Sequence, residues 1–208
     1  ATIRRDGSSN FGPNNKWGIF PSFSLAWNVT NEDFMTSRPD WLGSLKVRGS
    51  WGKNGNEKIG PFKYTSLMNG GQNYYFGSGS YSLMQYGSSP ANISNPNVKW
   101  EQSEQTDLGF DARLLHDALT FTFDYFVKKT NGMLMEQPIP DYVGVGKPIA
   151  NVGDMKNWGL EFELGYKHRI GDVNFNVLAN ASYLRNELIK LGNASGESIY
   201  QSNDAAGV

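Results

Sequence analysis

At 208 residues and a formal net charge of −1, the chain can bury one or two cores and offers no polybasic face for nucleic acid. It contains no cysteine, which excludes disulfides, thiolate metal sites and cysteine nucleophiles together. Its 24 Gly, 9 Pro, 6 Trp, 10 Tyr and 12 Phe favour strands and turns over helices, so the expected class is all-β.

The chain opens at Ala1 in strand-like ATIRR, with no basic segment leading into an apolar core, and stops at Val208 in a polar stretch. It is expected to be an internal fragment. The first full strand is Trp17 to Val29: Ile19, Pro21, Phe23, Leu25, Trp27 and Val29 alternate against Gly18, Phe20, Ser22, Ser24, Ala26 and Asn28. Pro21 cannot donate a ladder bond and marks an irregularity or a local edge. From Thr30 to Asp40 the connection predicts one helical turn around Glu32 to Met35, capped by Thr30 or Asn31 and closed by Pro39. Ser44 to Gly52 is the next strand, with Leu45, Val47, Gly49 and Trp51 opposite a basic side of Lys46 and Arg48. Lys53 to Lys99 then reads as one long loop rich in Gly, Asn and Ser, of a length usually reserved for function.

The stretch from Glu104 to Lys128 carries the clearest pattern. Thr106, Leu108, Phe110, Ala112 and Leu114 fall on one side, with Gln105, Asp107, Gly109, Asp111 and Arg113 on the other. After a break at Leu115, His116 and Asp117, Leu119, Phe121, Phe123, Tyr125 and Val127 alternate against Thr120, Thr122, Asp124, Phe126 and Lys128. Only Phe126 is out of place. Each strand runs about ten residues, close to what a tilted strand needs to cross a bilayer. A second long loop spans Lys129 to Asn157. A further hairpin follows: Leu160, Phe162, Leu164 and Tyr166, a tight turn at Ile170 to Asp172, then Val173, Phe175, Val177, Ala179, Ala181 and Tyr183. The residues beyond Arg185 read as another loop.

Compact connections at 30–43, 115–118 and 170–172 thus alternate with long ones at 53–99, 129–157 and after 185, as in outer-membrane barrels with short periplasmic turns and longer extracellular loops. Trp17, Trp27, Trp51, Trp100, Tyr125, Trp158 and Tyr183 sit near strand ends and suit interfacial girdles. No apolar run approaches the roughly 18 residues of a membrane helix, but a barrel keeps its mean hydropathy low by alternation. Alternation alone allows a second reading, because an apolar face packs on another sheet as well as on lipid. That alternative is a soluble β-sandwich or barrel that binds carbohydrate.

FGPNNKWGIFPSFSLAWNV, DWLGSLKVRGSWGKNGNEKIG, NPNVKWEQSEQTDLGFD, LTFTFDYFVKKTNGML and NVGDMKNWGLEFEL resemble successive barrel strands of the SusC/RagA-like TonB-linked outer-membrane proteins. The resemblance runs from about Arg4 to Leu191. It implies a curved antiparallel meander forming about a third of a large transmembrane β-barrel of the 22-stranded, plugged kind. On that reading residues 1–208 belong wholly to the barrel domain, without the plug, the N-terminal region or the remaining strands. The implied location is the bacterial outer membrane, in contact with outer-membrane lipid. The implied activity is import of oligosaccharides or peptides, driven through TonB and shared with a SusD-like surface lipoprotein. No cofactor is implied.

The residues themselves favour transport over catalysis. Lys46, Arg48, Asp107, Asp111, Arg113, Glu161, Glu163 and Lys167 share the polar side, where opposite charges pair across strands, and are expected to face the lumen. A glycosidase on a β-scaffold, using Asp107 or Glu161, is the catalytic alternative, although such acids require a set separation. His116 and His168 lie at tight turns without a second ligand at metal spacing. VGVGKP at Val143 to Pro148 lacks the phosphate-loop spacing and the Ser or Thr after Lys147. Asn28, Asn92, Asn180 and Asn193 begin N-x-S/T triplets, and chance explains them. Tyr74, Tyr75, Tyr81 and Tyr86, with Asn69, Gln72 and Asn73 nearby, are the candidate substrate contacts, because aromatic rings stack on sugar faces while amides bond hydroxyls.

Overall fold

Among the described residues seven strands pair edge to edge in a single antiparallel sheet whose spatial order is their order along the chain, with two short ribbons inserted between the third and the fourth. The structure is a computed structural model and describes residues 1–77 and 83–191. The sheet strands are β1 (Thr2–Gly7), β2 (Trp17–Asn28), β3 (Leu42–Asn56), β8 (Glu101–Leu114), β9 (Leu119–Glu136), β10 (Ile149–Ile170) and β11 (Val173–Leu191). Between β3 and β8 the chain forms two nested ribbons. One pairs β4 (Met68–Gly70) with β7 (Ser88–Pro90), and the other pairs β5 (Tyr74–Phe76) with β6 (Leu83–Gln85). Among the described residues no helix is long and apolar enough to cross a membrane.

Cross-strand register converts the period-2 pattern into two faces. Trp27, Val47, Phe110, Phe123, Phe162 and Ala181 form one row, and Leu25, Gly49, Leu108, Tyr125, Leu160 and Tyr183 the next. Phe123 lies 5.6 Å from Phe110 and 5.1 Å from Phe162, so the aromatic rings run across three strands. Each such pair contributes about 0.5–1.5 kcal/mol beyond simple area burial. Leu108, Phe110, Phe121, Phe123, Leu160, Phe162, Phe175 and Val177 share this face. Among the described residues no second sheet covers this face, and Leu25, Leu108 and Val177 stay 74%, 56% and 60% exposed.

The buried residues gather elsewhere, where β2 begins, β3 ends and β8 starts. Phe11, Phe20, Ile59, Val98 and Trp100 are each less than a tenth exposed, with Tyr64, Leu134 and Ile149 packed against them. Complete burial of a side chain such as Phe11 is worth about 1.5–3 kcal/mol. A side chain at Gly55 would collide with Phe20 and Trp100, so glycine there lets the rings close over β3. This cluster joins the loop 8–16 to the first long loop and to the ends of β9 and β10, and makes one end of the sheet a folded cap.

The opposite end carries compact turns. Leu115, His116 and Asp117 all take left-handed backbone, at φ 54°, 58° and 65°. His and Asp tolerate this, but a branched Leu pays about 1–2 kcal/mol. Three hydrogen bonds hold the turn: Leu115 N–H donates to Trp41 O (2.7 Å), Ala118 N–H to Leu115 O (3.1 Å) and Lys167 N–H to Ala118 O (2.8 Å). Gly171, at φ 60°, and Asp172 form the two-residue turn between β10 and β11, where glycine suits the first position.

Several boundaries differ from the expectation. Segment 29–35 forms two 3-10 turns, Val29–Asn31 and Asp33–Met35, with no side-chain cap, in place of one helical turn capped by Thr30 or Asn31. Thr30 instead accepts from Leu45 N–H and from Arg38 through its carbonyl. The loop expected at 53–99 begins after Asn56 and contains the two ribbons, and the one expected at 129–157 shrinks to 137–148. Residues 186–191, expected to be loop, continue β11. Each extension lies beyond the run of strict alternation, and in those of β9 and β10 Leu134, Ile149 and Val152 are packed or buried at the folded end of the sheet.

Candidate functional site

The polar face is organised around Arg48. Its Nε donates to Asp111 Oδ2 (3.2 Å) and one terminal nitrogen donates to Asp124 Oδ2 (2.7 Å), on a strand two places away. Register places Gly109 between them, and any Cβ at that position would strike the Asp124 carboxylate. Glycine therefore opens the path by which one guanidinium holds two carboxylates. Thr122 donates to Asp111 Oδ1 (3.2 Å), and Ser50 and Gln105 both donate to Asp107 (2.9 and 2.7 Å). The arrangement is a charged, hydrogen-bonded wall with its ion-paired side chains about a third exposed.

Of the eight charges expected on this face, the structure joins Arg48 to Asp111 and bonds Asp107 to neutral partners. Lys46 stands opposite Asp111 in register, while Arg113 pairs in register with Ser44 and Thr120, and Lys167 with Asn176. None of these three forms an ion pair among the described residues. Glu161 and Glu163 line a shallow depression of about 460 Å³ with Thr122, Asp124, Asn180 and Ser182. Glu161 is directly opposite Asp124, an unfavourable like-charge pair that only a wet surface tolerates. Asp124 was readable as a polar-face residue from its parity, but its bond to Arg48 crosses a strand that sequence does not order. Phe126 is explained by Gly159: its ring and Leu184 lie within 3 Å of where a Cβ on Gly159 would stand. Among the described residues no group of three or more His, Asp or Glu could hold a metal.

From β3 to β11 the apolar face ends abruptly toward the folded cap. Beyond Trp51, Val127 and Trp158, the next row in register is Lys53, Glu104, Lys129, Lys156 and Glu187. Trp51 Nε1 donates to Glu104 (2.8 Å), Trp158 packs on Tyr183 at 5.8 Å, and Trp27 Nε1 donates to Glu32 (2.7 Å) at the turn end. Trp27, Trp51 and Trp158 therefore stand at the two ends of the apolar face. Trp100 is a correction: it is 8% exposed within the buried cluster and belongs to no girdle. Tyr125 lies one row inside the rim, because β9 runs on to Glu136.

In the long loop Tyr74, Tyr75 and Tyr86 are 65%, 61% and 84% exposed. Tyr74 packs edge-on against Phe76 (4.9 Å), on the opposite side of the ribbon from Tyr75. Tyr81 lies outside the described residues. Asn73 is already engaged, its carbonyl accepting from Gly87 N–H (3.3 Å). Asn69 and Gln72 border a cleft with Ser89 and Lys147, between this loop and 137–148. The VGVGKP segment seams the two loops: Gly146 N–H donates to Ala91 O (2.9 Å) and Ile93 N–H to Gly146 O (3.3 Å).

An antiparallel meander of long strands, apolar on one face and polar on the other, with compact turns at one end and folded loops at the other, is a segment of a large β-barrel. The family model for the TonB dependent receptor-like β-barrel matches residues 1–207, and the chain belongs to that family. It is 36% identical over 191 residues to TonB-dependent receptor P3 of Formosa agariphila, covering 91% of this chain and 18% of that protein. It is 32% identical over 205 residues to TonB-dependent receptor SusC of Bacteroides thetaiotaomicron, covering 96% and 20%. Among solved structures, the RagAB peptide transporter superposes with a TM-score of 0.76 at 32% identity, covering 91% of this chain and 20% of that one. The RagAB peptide importer in its open-open state gives 0.77 at 31% identity, with the same coverage. The chain thus spans about a fifth of the length of the relatives it matches.

Proposed function

We propose that this chain is a length of barrel wall in an active importer of oligosaccharides or peptides in the bacterial outer membrane. Its apolar face meets lipid, its polar face lines the lumen, and its long loops form part of the extracellular mouth. The supporting observation is the uncovered apolar band. On β9 it runs from Leu119 to Val127, and nine residues tilted at about 45° rise roughly 20 Å, near the height of a barrel's apolar belt. Aromatic and charged rows bound it, as expected where hydrocarbon gives way to headgroups. The soluble carbohydrate-binding alternative requires a protein layer on this face, and the described residues supply none.

On this reading Lys46, Arg48, Asp107, Asp111, Arg113, Glu161, Glu163 and Lys167 are lumen charges in a transporter and not catalytic groups. Tyr74, Tyr75, Tyr81 and Tyr86 contact cargo or a lid. The RagAB peptide importer supports the peptide class, and the resemblance to SusC/RagA-like proteins carries the oligosaccharide class and a SusD-like lipoprotein partner over the long loops. Coupling to TonB falls to parts of the longer protein beyond these residues. The test exploits Phe123 and Asp124, adjacent residues on opposite faces. In the full-length protein a fluorophore on Phe123→Cys should be quenched by brominated acyl chains, and one on Asp124→Cys should not. Equal quenching at the two positions refutes the assignment.

A further inference from the structure

At and just outside the aromatic rim, three cations stand on adjacent strands of the membrane-side face. Lys156 is directly opposite Lys129, and Arg185, opposite Trp158, is the diagonal neighbour of Lys156. Directly opposed like charges destabilise a sheet, and diagonal neighbours lie about 7–8 Å apart, within reach of long side chains. The nearby acids leave the group unneutralised. Glu104 is taken up by Trp51 (2.8 Å) and Lys53 (3.7 Å), and Glu187 faces Lys156 in register without forming an ion pair. Among the described residues neither Lys129, Lys156 nor Arg185 is ion-paired. With Lys53, these are four cations against two carboxylates, a net +2 on one short arc.

We propose that Lys129, Lys156 and Arg185 bind the phosphate of an anionic lipid headgroup in the outer leaflet. The inference rests on the lipid-facing reading above and adds a site to it. The position fits the chemistry: Arg185 is level with Trp158 and the two lysines lie one row beyond it, at headgroup level, on the rim that carries the long loops and so faces outward. A phosphate inserted among the three relieves the Lys–Lys repulsion and accepts charge-assisted hydrogen bonds from each. Arg185 adds a planar fork suited to two phosphate oxygens.

The experiment uses the full-length protein in nanodiscs of zwitterionic lipid doped with either phosphorylated lipid A or its phosphate-free counterpart, with bound lipid counted by native mass spectrometry. The protein should retain the phosphorylated form and release the other. Lys129→Gln/Lys156→Gln/Arg185→Gln should lower retention about tenfold, whereas Lys58→Gln/Lys63→Gln in the long loop should leave it unchanged. Lys129→Arg/Lys156→Arg should keep binding, which separates charge from fold. If the triple variant does not assemble, Lys156→Gln alone should cost about threefold. Equal retention of the two lipids, full retention by the variants that lose charge, or displacement by excess inorganic phosphate overturns the site. Brominated-lipid quenching at position 123 in the same nanodiscs keeps the outcomes apart: quenching without retention overturns this site alone, and absent quenching overturns the lipid-facing reading.

Discussion

Replacing Phe123 with Arg places a charge at the centre of the apolar band, and the structure sets the expected cost. Phe123 is the fifth of the nine band residues of β9, and Val127 ends the band one row before Lys129. Four residues separate them, about 14 Å along the strand and roughly 10 Å along the membrane normal at 45° tilt. Arg on the lipid face costs about 2–4 kcal/mol at the midplane and about 0–1 kcal/mol near the interface. Phe123→Ala and Val127→Ala supply the baselines, because Phe123→Arg also loses the ring contacts with Phe110 and Phe162. The Arg-minus-Ala difference should therefore be about 2–4 kcal/mol at position 123 and under about 1 kcal/mol at 127. The assay is denaturant unfolding of the full-length protein in lipid vesicles, read from folded and unfolded populations. Equal differences at the two positions would refute the depth argument, and with it the claim that this face lies in hydrocarbon.

Three further outcomes test the wall and its ends. A double-mutant cycle of Arg48→Met with Asp124→Asn, read by the same unfolding assay, should give a coupling of about 0.5–1 kcal/mol. The 2.7 Å bond is charge-assisted, but solvent screens its partly exposed ends. Leu115→Gly should stabilise the turn between β8 and β9 by about 1 kcal/mol by removing left-handed strain; a loss of stability would show that the Leu115 side chain holds more than its backbone costs. Gly146→Ala puts a methyl 2.7 Å from Ala91 O, a backbone atom held in the loop seam. Protease cleavage within 86–95 should rise several-fold, and an unchanged digestion pattern would mean the seam does not order the loops.

On the proposed lipid-facing reading, the two-faced sheet was legible in the residues because the solvent on each side differs. Between Leu119 and Val127 one face must be apolar and the other need not be, so alternation records the band directly. Beyond Lys129 the strands meet the folded cap, where Leu134 and Ile149 pack on the buried cluster; the pattern lapses, and β9 and β10 run well past the boundaries that periodicity marks. Composition likewise identified a loop full of tyrosines, but not its ribbons, which depend on which segment pairs with which.

Tertiary structure decided the relations between strands. Arg48 reaches Asp124 because β8 lies between β3 and β9 and presents Gly109 at the crossing, an arrangement no single stretch encodes. Trp100 looks like a girdle residue in sequence and is drawn into a buried cluster by Phe11, Phe20, Ile59 and Val98, contributed by distant segments. Lys129 and Lys156 belong to different strands, and only register sets them face to face. Local alternation is fixed by the medium each side chain meets, whereas these contacts join residues far apart in the chain and exist only once the sheet has closed its ladder.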